Sequence, residues 1–152
     1  MVRSRGRAKA QLGNRSLETC SRSECPIANA LDILGDRWTL LVVRDLLFLN
    51  KRRFAELWKS PERIPTNLLA DRLKRLEEAG IIARRPYQRR PVRHEYELTR
   101  KGRDLFPVLR EMIRWSNKHI PETTKPPPGF LEAFERKDRG RKRNPRQMEK
   151  TK

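Results

Sequence analysis

Cysteine, histidine and acidic side chains are scarce in this sequence. Its 152 residues include two cysteines, two histidines and 19 acidic residues, against 37 lysines and arginines. Cys20 and Cys25 have no distant cysteine to pair with, which excludes a disulfide framework and fits a reducing cytoplasm. Together with His94 and His119 they also lack the spacing of a zinc site, so we expect no metal and no other cofactor.

Long apolar runs and catalytic motifs are missing as well. No apolar stretch approaches the roughly 18 residues that a membrane-spanning helix requires, and none follows the basic first residues as a secretory signal would demand. There is no glycine-rich phosphate loop and no nucleophile elbow, and the carboxylates are scattered among basic residues. We therefore expect neither a membrane protein nor an enzyme, and we assign no catalytic residue.

Positive charge is what the sequence has in excess. The formal net charge is +18 at pH 7, and residues 25–120 alone hold 21 basic and 12 acidic residues, a net +9. Because the excess is not confined to the ends, we expect the folded part itself to bind a polyanion. Double-stranded DNA is the partner that this charge favours.

Composition divides the chain into three segments. Residues 1–24 are interpreted as a flexible basic arm, which either contacts DNA loosely or is only a solvated tail. Residues 25–120 carry the apolar periodicity of a folded domain. Residues 121–152 begin with a proline-rich linker and end in a basic tail, which we expect to be disordered from Arg136 on. Within this segment, Phe130, Leu131 and Phe134 are predicted to form one helical turn that docks on another surface.

Two helices are predicted at the start of the folded domain. Pro26 suits the first position of a helix, and Gly35 ends it. Asp36 is expected to cap a second helix, from Arg37 to about Leu49, which is apolar on nearly all sides and should therefore be buried at the centre of the domain. The apolar stripe of the first helix comprises Ile27, Ala30, Leu31 and Leu34.

A helix-turn-helix pattern follows. Residues 54–58 read as a short helix, and after a turn a longer helix runs from Thr66 to Ala79 and is stopped by Gly80. Thr66 or Asn67 is expected to cap this helix with its side chain. Its apolar face comprises Leu69, Leu73 and Leu76.

The opposite face of this longer helix is polar, and we predict that it enters the DNA major groove, although most such helices are only solvated surface helices. Thr66, Asn67 and Lys74 are the best candidates for base contact, with Arg72 at the groove margin. Asp71 either accepts a hydrogen bond from a cytosine amine or pairs with Arg75 four residues later. The predicted recognition face comprises Thr66, Asn67, Ala70, Asp71, Arg72 and Lys74.

A β-hairpin is predicted after Gly80. One strand begins at Ile81, a second runs from Val92 to Leu98, and two prolines between them should interrupt the ladder at the tip. Five arginines within ten residues favour a wing that holds DNA phosphates over a loop that is basic by accident. The predicted phosphate or minor-groove contacts are Arg53, Arg85, Arg89, Arg90 and Arg93.

The last predicted helix is capped by Thr99 and runs from Arg100 to about His119. Its apolar residues form more than one stripe, which a domain of this size rarely covers by itself. We therefore expect a homodimer through the first and last helices, the alternative being that these residues cover the domain's own flank. The predicted interface comprises Ile27, Leu31, Val108, Met112 and Trp115.

Several of these segments resemble the HxlR-type winged helix-turn-helix regulators, which are relatives of the MarR proteins. The resemblance implies a mainly helical winged helix-turn-helix fold, dimeric DNA binding and no catalytic activity. It covers roughly residues 25–120 and neither tail. The segments that carry it are Cys25-Pro26, residues 34–41, residues 52–57, residues 64–67, residues 69–80, residues 94–99 and Lys101-Gly102.

Cys25 is the residue for which the resemblance matters most. A thiol at a helix N-terminus is favoured as thiolate by the helix dipole, and Arg22 could add to this, yet a lone cysteine is more often inert. Many members of the family use a cysteine at this position to sense oxidants or electrophiles, which implies an oxidant or small-molecule effector. Cys20 is a candidate resolving partner.

Two other functions remain open from the sequence. The same charge would suit an RNA- or nucleoprotein-binding protein, although that function would favour stacking aromatics on an open sheet. A regulator that responds to a ligand in the dimer cleft, without redox sensing, is the other alternative. A symmetric DNA-binding dimer instead predicts an inverted-repeat operator with half-site centres roughly 34–36 Å apart.

Overall fold

A computed structural model describes the backbone of residues 24–143 and the side chains of residues 24–136. Within these residues the structure is mostly helical with one antiparallel two-stranded sheet, which confirms the expected fold class. The elements are α1 (Pro26–Leu34), α2 (Thr39–Phe48), α3 (Phe54–Trp58), α4 (Thr66–Glu78), β1 (Ile82–Arg89), β2 (Val92–Leu98), α5 (Arg100–Arg103), α6 (Phe106–His119) and α7 (Phe130–Arg143).

Helix α2 lies at the centre of the core, as its apolar sequence predicts. Val42 and Val43 are fully enclosed and pack with the three leucines of the inner face of α4. Burying each such side chain contributes about 1.5–3 kcal/mol, so this contact accounts for much of what holds the two helices together. The core is completed by Leu46, Leu57, Ile64, Leu69, Leu73, Leu76, Ile81, Ile82, Leu98 and Leu109.

The start of α2 differs slightly from the prediction. The helix begins at Thr39 rather than Arg37, because the Asp36 carboxylate accepts hydrogen bonds from the backbone N–H groups of Trp38 (2.8 Å) and Thr39 (3.0 Å). These bonds satisfy donors that have no partner inside the helix. The capping role of Asp36 is confirmed.

The single helix predicted from Arg100 to His119 is wrong, because two helices occupy this stretch. Thr99 does cap the first, and its hydroxyl accepts from the backbone N–H of Gly102 at 3.2 Å. Helix α5 then ends at Arg103, and α6 starts with Pro107 in its first turn. Proline has no N–H and its ring clashes with the carbonyl four residues earlier, so a continuous helix is broken just before it.

The C-terminal part of the described chain is more ordered than the sequence suggested. Helix α7 runs from Phe130 to Arg143, so the expectation of a single turn followed by disorder from Arg136 is wrong over this range. The Phe134 ring lies 5.0 Å from that of Phe48 and 5.1 Å from that of Phe106, and Leu131 is buried. These long-range aromatic contacts hold the helix, and a local charge pattern could not reveal them. The predicted flexible arm, residues 1–24, lies outside the described residues except for its last.

No helix among the described residues is long and apolar enough to cross a membrane.

Candidate nucleic-acid interface

Helix α4 presents its polar face to solvent. Thr66, Asn67, Ala70 and Lys74 are exposed on the side opposite the buried leucines. The helix begins at Thr66 with Pro65 as its cap residue, and no side chain caps it, so the expected cap by Thr66 or Asn67 is wrong. Both side chains therefore remain available for other contacts. Gly80, at φ +67°, ends the helix as predicted, because glycine adopts this conformation without steric cost.

Asp71 and Arg75 form the ion pair that the sequence suggested as one alternative. The Arg75 Nε lies 3.0 Å from Asp71 Oδ2, one turn apart on α4. An Asp71 carboxylate engaged in this way is less available to accept from a base, so Asp71 is a weaker candidate for base contact than Asn67; Lys74 lies 3.8 Å from Glu78, a longer ion pair.

Arg72 is largely buried beside the recognition face. Its Nη1 is 3.2 Å from Asp36 Oδ2, and its side chain is only 16% exposed. Although partial burial raises the pKa of Asp36, hydrogen bonds from Thr39 and from the backbone of Trp38 outweigh it, and Arg72 lowers the pKa of the carboxyl further. Its Nη2 also lies 3.5 Å from Asp71 Oδ2, so two carboxylates engage its charge. The placement of Arg72 among the DNA contacts stays a prediction, which this geometry disfavours.

A buried charged cluster, which the sequence reasoning missed, holds the helix-turn-helix against α2. Asp45 is 1% exposed and accepts from Lys51 Nζ at 2.9 Å and from the Ser60 hydroxyl. Arg44 joins Asp45 to Glu62, at 2.8 Å and 2.9 Å respectively. Ser60 and Glu62 lie in the turn between α3 and α4, so the cluster fixes this turn. An aspartate in an otherwise apolar helix was the available signal.

The hairpin Ile82–Leu98, which we call the wing, is paired almost to its tip. Pairs run from Ile82–Leu98 to Arg89–Val92, with one irregularity between Pro86 and Gln88, and Arg90–Pro91 is a cis peptide at the turn. The expectation that the two prolines prevent a continuous ladder is thus confirmed at Pro86, where Tyr87 is an extra residue without a partner in the register, while Pro91 lies in the turn beyond the last pair. A bulge of this kind is the usual way to accommodate a proline in a strand.

Charge is distributed unevenly along the wing. At the wing root, Arg84 lies 3.6 Å from Glu77 and Arg85 lies 3.9 Å from Glu97, which also binds Arg52. At the wing tip, which comprises Arg89, Arg90 and Arg93, the three arginines are exposed and form no ion pair with the described acidic residues. Positive charge is therefore uncompensated where the hairpin extends farthest.

Arg53 contacts the wing at two residues, Tyr87 and Glu95. Its guanidinium carbon lies 4.5 Å from the centre of the Tyr87 ring, a cation–π contact. Its backbone pairs with Glu95, and the neighbouring Arg52 carbonyl accepts from the Tyr96 N–H at 2.7 Å. The segment before α3 thus acts as a short third edge of the sheet.

The wing and α4 border one groove. Its volume is about 660 Å³, and residues of both elements form its walls. The middle of the recognition face, at Ala70 and Lys74, therefore adjoins the root of the wing, at Arg84 and Tyr96. The lining residues are Phe54, Ala70, Leu73, Lys74, Glu77, Glu78, Arg84 and Tyr96.

The residues predicted to form the dimer interface are exposed in the single chain. Leu31 is 55% exposed on α1 and Trp115 is 60% exposed on α6, and α1 buries none of its residues. Cys25 precedes α1 as its cap residue and is exposed. Cys20 lies outside the described residues. Among the described residues, no group of three metal-ligating side chains is close enough to hold an ion.

Comparison with known proteins identifies the domain. A family model described as HxlR-like helix-turn-helix matches residues 33–124. The chain belongs to the HxlR-like helix-turn-helix family. This confirms the resemblance, and the matched region includes α2 to α6 and excludes α7.

The relatives of this HxlR-like chain are regulators. This chain is 41% identical to the HTH-type transcriptional regulator Rv3095 of Mycobacterium tuberculosis over 101 aligned residues. The alignment covers 66% of this chain and 63% of that protein. The chain thus spans less than two thirds of that relative's length. Similar proteins from Bacillus subtilis and other bacteria are also named HTH-type transcriptional regulators and not enzymes, as the sequence indicated.

Two solved structures share the fold. The reduced form of the transcriptional regulator YodB from Bacillus subtilis is 33% identical, with a TM-score of 0.54 over 67% of this chain and 100% of that chain. The redox regulator HypR in its oxidized form is 32% identical, with a TM-score of 0.55 over 62% of this chain and 97% of that one.

Proposed function

We propose that this protein is a transcriptional regulator that binds double-stranded DNA as a homodimer on an inverted-repeat operator. The observation that supports this most directly is that the exposed polar face of α4 adjoins the root of the wing, where Ala70 and Lys74 line one groove with Arg84 and Tyr96. A duplex lying there can receive α4 in its major groove while the wing reaches the adjacent backbone.

Base contact falls to the exposed start of α4. Thr66, Asn67 and Lys74 present one hydroxyl, one amide and one ammonium group within little more than two turns of helix. An asparagine amide can donate and accept at once on an adenine edge, and a lysine can donate to a guanine. These three residues are therefore the proposed specificity determinants, and Ala70 between them allows close approach.

Phosphate contact falls to the wing tip. Arg89, Arg90 and Arg93 can each neutralise a phosphate without first leaving an acidic partner among residues 24–136. Arg85, 3.9 Å from Glu97, and Arg53, stacked on Tyr87, have a competing contact and should contribute less. Affinity should fall with salt at a log–log slope of about −0.9 per phosphate contact.

The dimer is proposed from the exposed apolar residues of α1 and α6. Val108, Met112 and Trp115 follow one another along one side of α6, and Ile27 and Leu31 along one side of α1. An apolar surface of this kind is unusual on a monomer and suits a second copy of the chain. Two recognition helices would then meet half-sites whose centres lie roughly 34–36 Å apart.

Genome-wide footprinting with the purified protein tests this proposal. The expected result is a small set of protected sites that share an inverted repeat, together with a dimer by analytical ultracentrifugation. Protection without any shared sequence, or a preference for single-stranded RNA over duplex DNA, would contradict it. RNA recognition is disfavoured because the described hairpin has only two tyrosines, of which Tyr87 is engaged by Arg53 and Tyr96 is half-buried, whereas RNA-binding sheets present several open aromatic rings.

Redox or electrophile sensing through Cys25 is the finer part of the proposal. Cys25 is exposed at the N-terminus of α1, and HypR is a redox regulator of similar fold. Oxidation by a peroxide would remove two electrons and two protons from Cys25 and a second thiol, which is Cys20 or the same residue of the partner subunit, and form a disulfide. Mass spectrometry after peroxide or quinone treatment, beside an operator-binding assay, tests this. Unchanged binding by fully modified protein would show that Cys25 is not a sensor.

A further inference from the structure

Arg72 and Asp36 connect the recognition helix to the joint between α1 and α2. Arg72 lies in the middle of α4, and its Nη1 is 3.2 Å from Asp36 Oδ2. Asp36 follows Gly35, the cap residue that ends α1. The contact therefore spans 36 residues of sequence and joins the start of α2 to the middle of α4, one residue after the joint that ends α1.

The Asp36 side is rigidly attached to α2. Its Oδ1 accepts from the N–H groups of Trp38 and Thr39, and its Oδ2 accepts from the Thr39 hydroxyl, which is itself buried. The carboxylate that Arg72 meets is therefore positioned by the start of the central helix.

The α1 side of the joint is tight as well. The Gly35 N–H donates to the Leu31 carbonyl at 2.7 Å, and a Cβ at position 35 would clash with that carbonyl oxygen. In contrast, α1 buries none of its residues in the core of this chain. Leu34 alone of its apolar residues is half-buried against the core, so the orientation of α1 is set by this contact, by the joint and by what covers its exposed side.

We propose that Arg72 is a positioning residue that, through Asp36, couples the orientation of α1 to that of the recognition helix. The proposal rests on the proposed function, because it assigns a route by which the dimer surface and Cys25 on α1 act on DNA affinity. A displacement of α1 that shifts the joint also shifts the start of α2, to which the Asp36 carboxylate is hydrogen-bonded, and Arg72 transmits that movement to the middle of α4.

Two observations separate this role from simpler ones. A phosphate contact requires an accessible guanidinium, whereas Arg72 is only 16% exposed and is directed at Asp36. A purely stabilising ion pair would be fully satisfied, whereas the buried Nε of Arg72 has no hydrogen-bond acceptor among the described residues. Since an unsatisfied buried donor offsets much of what an ion pair contributes, the pair adds little net stability and acts mainly on geometry.

The test is a double-mutant cycle with Arg72→Gln and Asp36→Asn. The asparagine side chain in Asp36→Asn would retain an oxygen that accepts from the Trp38 and Thr39 N–H groups, so the start of α2 is preserved. We expect each single variant to weaken operator binding roughly 2- to 30-fold, the range over which coupling residues act. The double variant should bind the operator no more weakly than the weaker of the two single variants. In all three variants, non-specific DNA binding and the salt slope should be unchanged, and the melting temperature should change little.

A matched control is the pair Arg110–Glu135, which also joins two helices, at 3.1 Å and with similar exposure, but does not involve α4. Arg110→Gln and Glu135→Gln should leave operator affinity within about twofold of wild type. Strictly additive losses in the Asp36–Arg72 cycle would overturn the proposal. So would a salt slope reduced by about 0.9 in Arg72→Gln alone, because that result would make Arg72 a phosphate contact.

Hydrogen exchange provides a readout that does not require an operator. Alkylation of Cys25 should change the exchange of α4 amides in the wild-type protein and should leave them unchanged in Asp36→Asn, while α6 amides behave alike in both. If alkylation changes α4 equally in both proteins, or in neither, the coupling does not exist. Because this measurement uses no DNA, it fails independently of the proposed function.

Discussion

Helices α1 and α4 have similar amphipathic sequences, but the fold treats them in opposite ways. In α4 the apolar residues Leu69, Leu73 and Leu76 are buried against α2, whereas α1 buries none and leaves Leu31 55% exposed. An apolar stripe therefore shows that a helix has a partner without showing which one. For α4 the partner lies within the chain, and for α1 we propose a second subunit.

The two ends of the wing show the same contrast for charge. Arg84 and Arg85 at the wing root lie beside Glu77 and Glu97, while the tip arginines have no acidic partner among the described residues. Identical side chains thus serve internal pairing at one end and are available to an external polyanion at the other.

The largest expected effect is on stability, through the buried leucines of α4. Leu73→Ala should lower the free energy of unfolding by about 2–5 kcal/mol, because it leaves a cavity between α2 and α4. Chemical denaturation measures the change. Lys74→Ala, exposed on the same helix, is the control and should change stability by less than about 0.5 kcal/mol. Similar losses in both variants would mean that α4 is not anchored by its leucines.

On the outer face of α4, Asn67→Ala should change which operator bases are preferred, with about 1–3 kcal/mol of discrimination lost at one position per half-site. Selection of binding sites from a random duplex pool measures this preference. An unaltered preference would show that the start of α4 does not contact bases.

Leu31→Ala should act on association rather than folding. We expect a dissociation constant of the dimer about fivefold higher, equivalent to about 1 kcal/mol, with little change in the unfolding of the monomer. Sedimentation over a concentration series distinguishes the two effects. A monomer destabilised as strongly as by Leu73→Ala would place α1 in the core of its own chain and remove the contrast between the helices.

Arg90→Ala should reduce the magnitude of the log–log salt slope by about 0.9 per subunit and weaken binding to all sequences alike. Arg84→Ala at the wing root should leave the slope nearly unchanged. Fluorescence titration at several salt concentrations compares them. Equal slopes in the two variants would show that the root and the tip of the wing do not differ in phosphate contact.

The smallest effect is a dependence of stability on acid. Hydrogen bonds from Arg44 lower the pKa of Glu62, and the pKa of Asp36 is lowered as well. A carboxyl whose pKa is lower in the folded state stabilises the protein above its unfolded pKa, and this stabilisation disappears as the pH falls through the folded value. The melting temperature should therefore fall below about pH 4, and it should fall less steeply in Glu62→Gln. An identical acid profile in that variant would exclude Glu62 as a contributor.

Local signals predicted the elements that local chemistry controls. The limits of α3 and α4, the cap at Thr99 and the end of α4 at Gly80 follow from side-chain period, capping groups and backbone preference within a few residues. Pro107 is a local signal for the break between α5 and α6. The prediction of a single helix followed the apolar period around this proline instead.

The sequence by itself determined the helix-turn-helix, the wing and the surplus of positive charge, since each depends on residues that are near one another along the chain. Only the tertiary structure decided that Arg72 meets Asp36, that Asp45 is enclosed with Lys51 and Ser60, and that α7 packs on Phe48. Those contacts join residues that are brought together by burial of the core, and a charged or aromatic side chain carries no mark of the partner that it will meet.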